Sequence, residues 1–199
     1  MYLIQQFETE DPCNYYKEQR LSNIGVLRFE PWSDPVLFYS TYCAVLKGNF
    51  YFDDNNTAPV PVAVKLQSDK LMPIFENELS VYTKIKHEYI LECYGFEVNV
   101  YTSVMVTHLC DTDIYNHCCG VQEQVFHTYS MKDLIVFAKQ IAVGMEYLHA
   151  HGIAHRDLKG SNLFLKRVRV KKCYSSFVVK IAVSILRSLI FVTYNSIEN

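Results

Sequence analysis

The sequence lacks an excess of charge of either sign: 19 Lys and Arg stand against 21 Asp and Glu over 199 residues, a formal net of −2. That removes the electrostatic case for nucleic acid as the main partner. It also lacks any Cys-x-x-Cys pair, and its seven cysteines, at positions 13, 43, 93, 110, 118, 119 and 173, are odd in number. A disulfide framework and a zinc ribbon are therefore disfavoured, and a reducing compartment is implied. No stretch reaches the roughly 18 uncharged apolar residues of a membrane span. The closest, Phe177 to Val192, is interrupted by Lys180 and Arg187. The start, MYLIQQFETEDP, carries no basic n-region, so a secretory signal is not expected. No membrane contact is expected either, and the expected location is cytoplasmic, with nuclear as the alternative. What is present is apolar: 50% hydrophobic and 14% aromatic against 20% charged residues, enough to bury a core and too much for a disordered tail.

No repeat or low-complexity tract appears. Residues 1–34 are mixed and polar without a clear period, and read as an extension. Strand-like material follows in Pro35 to Ser40 and in Tyr42 to Phe52, then a turn at Asp53-Asp-Asn-Asn-Thr57. Val60 to Leu66 alternates, with Val62, Val64 and Leu66 on one face and Ala63 and Lys65 on the other. A helix opened by Pro73 places Phe75, Leu79, Tyr82 and Ile85 on one stripe. Val98 to Leu109 reads as another strand or hairpin. The clearest helix runs from Met131 to about His149, with a capping pattern in Ser130 and Asp133 and a stop at Gly152. Its apolar stripe is Leu134, Phe137, Ala138, Ile141, Met145 and Leu148. A β-rich first half before a helical segment is the order of a two-lobed α+β protein.

The sharpest motif is His155-Arg-Asp-Leu-Lys-Gly-Ser-Asn162, directly after that capped helix. H-R-D-L-K-x-x-N resembles the catalytic loop of protein kinases, with the lysine two positions after Asp typical of serine/threonine enzymes. Phosphoryl transfer needs a carboxylate to orient the substrate hydroxyl, a cation near the moving phosphoryl group and an oxygen ligand for magnesium. By position Asp157, Lys159 and Asn162 match those roles, with His155 and Arg156 completing the loop. Upstream, Val62-Ala-Val-Lys65 resembles the third-strand lysine motif, and Glu78 in Glu78-Leu-Ser-Val-Tyr-Thr-Lys-Ile-Lys-His87 resembles the αC glutamate that pairs with that lysine. Glu76 is a competitor, but helical phase puts it roughly 200° around from Glu78. Val104-Met-Val-Thr107-His-Leu-Cys110 resembles the strand into the interlobe hinge, with Thr107 as gatekeeper.

The resemblance spans roughly Pro35 to Ala182 and is nearest the tyrosine-kinase-like serine/threonine group. It implies an α+β, protein-kinase-like two-lobed fold: an N-lobe of a five-stranded antiparallel sheet plus αC, to about residue 109, and an incomplete C-lobe over 110–182. It implies ATP and Mg2+ as cofactors and a protein substrate or regulatory partner. Lys65 and Glu78 fall on the phosphates, and Val45, Ala63, Thr107, Cys110 and Phe164 around adenine. It fails in two places. The glycine-rich loop should end at Val45-Leu-Lys-Gly48, which puts Phe38, Ser40 and Cys43 where its three glycines belong. After Val178-Val-Lys-Ile-Ala182, D-F-G should follow, and the chain reads Val183-Ser-Ile-Leu instead. Because the match stops abruptly, residues 183–199 are expected to be an intron read in frame, since Val-Ser can be encoded by GTNAGT, or else a tail of separate origin. Either way catalysis is expected to be impaired, with a catalytically dead pseudokinase acting as a binding module as the alternative.

Two clusters remain. Lys166-Arg-Val-Arg-Val-Lys-Lys172 fits a nuclear-localisation or anionic patch, but between two apparent strands it reads first as a solvated hairpin. His117-Cys-Cys119 has no second ligand pair and reads as loop rather than metal site.

Overall fold

The computed structural model describes residues 18–21, 25–28, 36–39, 43–52, 58–68, 78–98, 102–119, 129–171 and 174–183. Ser40, the 53–57 turn, Pro73, Phe75, Glu76 and residues 184–199 lie outside them. The chain forms two compact units, one of residues 1–76 and 93–109, the other of residues 77–92 and 110–199.

The first unit is an antiparallel sheet of seven strands: β1 (Glu18–Leu21), β2 (Gly25–Arg28), β3 (Val36–Tyr39), β4 (Cys43–Phe52), β5 (Val60–Ser68), β6 (Cys93–Val98) and β7 (Thr102–His108). They run in the order β1-β2-β4-β5-β7-β6, and β3 shares with β2 the same edge of β4. The strands expected at 35–40, 42–52, 60–66 and within 98–109 are present as β3, β4, β5 and β7, and β6 falls ahead of the segment read as a strand or hairpin. The segment read as an extension supplies two more, β2 pairing Gly25 to Arg28 against Phe52 to Asn49. Alternation does the sorting. Ala44, Leu46 and Phe50 of β4, Val62, Val64 and Leu66 of β5, and Val104 and Val106 of β7 are buried. Most of these make up one core cluster. At about 1.5–3 kcal/mol per buried aliphatic or aromatic side chain, this face holds the sheet. Phe50 and Phe52 extend it edge-on at 4.9 Å. Pro61 is tolerated in an inner strand because β7 ends its pairing at Val62↔His108, so no partner on that side needs the missing N–H.

The second unit contains α1 (described over 78–82), α2 (Ile114–Cys119) and α3 (Met131–Ala150), with β8 (Thr112–Asp113), β9 (Leu163–Lys171) and β10 (Tyr174–Ile181) in an antiparallel sheet of order β10-β9-β8. Residues 77–92, expected with the first lobe, cluster here instead. The reason lies in their contacts: Leu91 N–H donates to Ile181 O at 2.8 Å, Lys86 N–H to the Tyr147 hydroxyl at 3.0 Å, and His87 stacks on Tyr147 at 4.6 Å.

Helix α3 starts as its sequence dictates. The Ser130 hydroxyl accepts the Asp133 N–H at 3.2 Å, and the Asp133 carboxylate accepts the Ser130 N–H at 3.2 Å. Such a reciprocal cap contributes about 1 kcal/mol. Gly152 ends the helix with φ of +71°, a left-handed turn in open space. Of the expected stripe, Phe137 and Leu148 are buried and Ile141 and Met145 pack beside them. Leu134, 45% exposed, and Ala138 are not. Strand β10 meets the helix at Gln140, whose Oε1 accepts the Val179 N–H at 2.9 Å, and at Gly144. Met131, Ile135 and Val136 lie a turn or more before those contacts and stay exposed with Leu134. Gly144 is the close approach that the stripe did not reveal: a Cβ there would stand 2.7 Å from Ile181 Cδ1 and 3.3 Å from Tyr89 Cβ.

Candidate active site

The loop after Gly152 is fixed by its own polar groups. His155 is 2% exposed. Its Nδ1 accepts the Asp157 N–H at 3.3 Å, so in the neutral ring Nε2 carries the proton and donates to Ala182 O at 2.8 Å. Burial lowers the pKa of His155 below its ordinary value, while the Ala182 carbonyl and the Asp157 carboxylate pull the other way. Arg156 is exposed and takes a φ of +61°, a left-handed conformation that strains a non-glycine residue by about 1–2 kcal/mol.

That turn directs Asp157 back into the loop. Asp157 Oδ2 faces Lys159 Nζ at 2.9 Å and accepts Asn162 Nδ2–H at 3.1 Å. Asn162 Nδ2 also donates to Asp157 O at 2.8 Å. The Asn162 backbone closes a single turn, Gly160–Asn162, on Lys159 O, and its carbonyl accepts the Ala182 N–H at 2.9 Å. His155, Asp157, Lys159 and Asn162 are thus brought together. A carboxylate held by an amide and an ammonium is oriented to accept a hydroxyl proton, with a cation beside it.

The end of β10 is held from both sides. Ala182 is bonded to Asn162 and His155, and Val183 N–H donates to the Tyr82 hydroxyl at 3.0 Å. Neither Tyr82 nor Ala182 was legible as a site residue; Tyr82 stood only on the stripe of its helix. Position 183 is where a magnesium carboxylate is expected. It is valine, 3% exposed, in the apolar cluster with Leu148, Leu163 and Ile181. Among the described residues no three His, Cys, Asp or Glu side chains gather to hold a metal. Asn162 Nδ2 is committed to Asp157, which leaves one amide oxygen for a cation. The described residues do not fit a magnesium site.

In the first unit, register places the expected residues on one face. Val45 lies opposite Lys65, and Ala63 and Lys65 lie opposite Thr107 and Met105. Thr107 is 8% exposed, and its Oγ1 donates to Ala63 O at 3.4 Å. A valine and an alanine methyl beside a half-buried lysine suit a ligand that is apolar at one end and anionic at the other. The strand expected to carry loop glycines shifts register against β4 between Val36 and Phe38, with Phe38 paired to Val45 and Cys43 opening β4.

Glu78 is in the second unit, on α1, and is 2% exposed. Cys110 and Phe164 are there too. Phe164 lies between Lys180 and Asp113 in register. Burial pushes the Cys110 thiol up to about 12, against the pull of Lys166 and Lys180 and with a push from Asp111, so it stays protonated and unreactive. His117 to Cys119, read as loop, belong to α2, and the His117 ring lies 5.4 Å from Tyr129 and 5.0 Å from Phe177. Cys43, Cys93, Cys110 and Cys118 are thiols.

The family profile of protein tyrosine and serine/threonine kinases matches residues 36–191. The chain belongs to the protein kinase superfamily. The match begins at the start of β3 and takes in Lys65, the hinge strand and the whole 155–162 loop. It also runs past Ala182 into the segment read as a tail. The mixed α+β architecture, with its antiparallel sheets and the helix leading into the loop, is that of a partial kinase-like fold. Among the described residues no helix is long and apolar enough to cross a membrane.

Proposed function

We propose that this chain is a serine/threonine-type protein kinase domain impaired at its metal site, acting as it stands by binding a protein partner rather than by turning over ATP. In this reading Asp157 is the base toward a substrate hydroxyl, and Lys159 balances charge on the transferred phosphoryl group. His155 and Arg156 frame the loop. Within the first unit Lys65 takes the phosphates, and Val45, Ala63 and Thr107 take adenine. ATP, where bound, would supply the phosphoryl group. The observation that carries the reading is Val183, buried among apolar side chains where a metal carboxylate belongs.

Losing one preorganised electrostatic contact costs about 10²–10³ in rate. Purified protein given labelled ATP and a generic protein substrate is therefore expected to transfer no phosphate above the background of Asp157→Ala. By calorimetry ATP is expected to bind weakly, with little response to magnesium, and more weakly still in Lys65→Ala. Transfer that disappears in Asp157→Ala would overturn the proposal. It would favour the second reading, a competent kinase, for which the Asp157–Lys159–Asn162 cluster speaks.

A further inference from the structure

Strand β9 carries a charge pattern that the catalytic loop does not use. Between Asp157 and Glu198 the sequence contains no acidic residue, in a chain whose net charge is −2. Five of the seven residues from Lys166 to Lys172 are basic, and Lys166, Arg167, Arg169 and Lys171 fall within β9 itself rather than in a turn.

Backbone pairing leaves that part of the strand open on one side. β8 covers only Leu165 and Phe164, through Thr112↔Leu165 and Asp113↔Phe164. Just beyond, Asp111 N–H donates to Leu165 O at 2.9 Å, and the Asp111 carboxylate accepts the Arg167 N–H at 2.7 Å. Leu165 and Arg167 therefore turn their backbone groups to the same edge, and antiparallel alternation turns the Arg167 carbonyl and the Arg169 N–H there too. Among the described residues no strand pairs with this edge past Asp111. Arg167 is exposed, and its guanidinium lies 5.5 Å from the Phe177 ring on β10, which holds it at the strand surface. Asp111 already displays the recognition in miniature, a carboxylate on an edge N–H of a basic strand.

We propose that the outer edge of β9, from the Arg167 carbonyl to Arg169, docks an acidic, extended peptide of a partner protein by strand addition. Backbone bonds supply the pairing, and the positive charge that the sequence concentrates around Arg167 favours glutamate or aspartate. At about 3.3 Å per residue from Asn162, the basic stretch lies roughly 13–30 Å from the Asp157 loop. The peptide would therefore tether a partner without entering the loop, and the proposal holds whether or not the chain transfers phosphate.

The probe is a fluorescein-labelled peptide alternating glutamate and valine over roughly eight residues, titrated by anisotropy against the full chain. Binding is expected to weaken about tenfold in Arg167→Glu/Arg169→Glu, by less in the Gln pair, and with rising salt. A peptide N-methylated at alternate positions is expected to bind at least tenfold more weakly to the unaltered chain, a comparison that needs no variant to fold. Equal binding of the N-methylated peptide or of a lysine-valine peptide would overturn the proposal. So would unchanged affinity in a folded charge-reversed variant. Oligothymidylate that binds more tightly than the acidic peptide and displaces it would show a nucleic-acid patch instead, and overturn it as well.

Discussion

Replacing His155 with phenylalanine isolates one buried polar group that joins the loop to the end of β10. The ring is 2% exposed and makes two bonds, Nε2–H to Ala182 O at 2.8 Å and Nδ1 from the Asp157 N–H at 3.3 Å. Each contributes about 1 kcal/mol net, and a carbonyl left without its partner away from water costs about 1–3 kcal/mol. The expected loss is therefore about 2–4 kcal/mol at pH 8, a large share of a stability of roughly 5–15 kcal/mol. The pH dependence gives the sharper test. Burial lowers the folded-state pKa of His155 from 6.5, so on acidification the unfolded chain takes up this proton first. The stability that the neutral ring contributes is complete above about 6.5 and declines as pH falls from there to the lowered folded value. Within that window the slope reaches at most about 1.4 kcal/mol per pH unit. Urea unfolding followed by far-UV circular dichroism from pH 8 to pH 5 is the assay. The other six histidines are common to both proteins, so only the difference between the two curves reports on His155. That difference should be largest at pH 8 and shrink toward pH 5. A constant difference, or one that grows on acidification, would refute the assignment of a buried neutral ring.

Two further outcomes are expected. Gly160→Ala places a Cβ 3.1 Å from Tyr115 Cβ, 3.2 Å from its N and 3.3 Å from its Cα. Because backbone must give, it should lower the urea midpoint by the equivalent of about 1–3 kcal/mol, and an unchanged midpoint would show the α2 contact to be loose. Met131→Lys/Ile135→Lys acts on side chains 71% and 61% exposed, so stability should move by less than about 0.5 kcal/mol while association measured by light scattering falls. Association that does not change would mean that the apolar face at the start of α3 is not what drives it.

Local chemistry was legible wherever a short stretch of chain decides the outcome by itself. The two faces of β5 follow from its alternation, the start of α3 from Ser130 and Asp133, and its end from Gly152. Asp157, Lys159 and Asn162 could be found from spacing because all of them lie within one loop, where six residues of chain leave few ways to arrange an acid, a cation and an amide. The family, too, was readable from motifs in order along the chain.

Other features depend on segments distant in sequence, and only the tertiary structure decided them. Residues 18–21 and 25–28 have no period of their own, yet they become strands because β4 offers an edge to β2 and β2 offers one to β1. Residues 77–92 cluster with the second unit because Ile181 and Tyr147 bond and stack with them. Leu134 and Ala138 fit the α3 stripe by phase, but the stripe is buried only where β10 reaches it, from Gln140 onward. Gly144 looks like a weak helix residue until Ile181 is found against it. Val183 reads as one residue missing from a motif, whereas its burial with Leu148, Leu163 and Ile181 makes the metal position part of the core. Sequence fixes which residues a local motif contains; the partner that completes or covers each one is chosen by packing between parts of the chain that no local pattern connects.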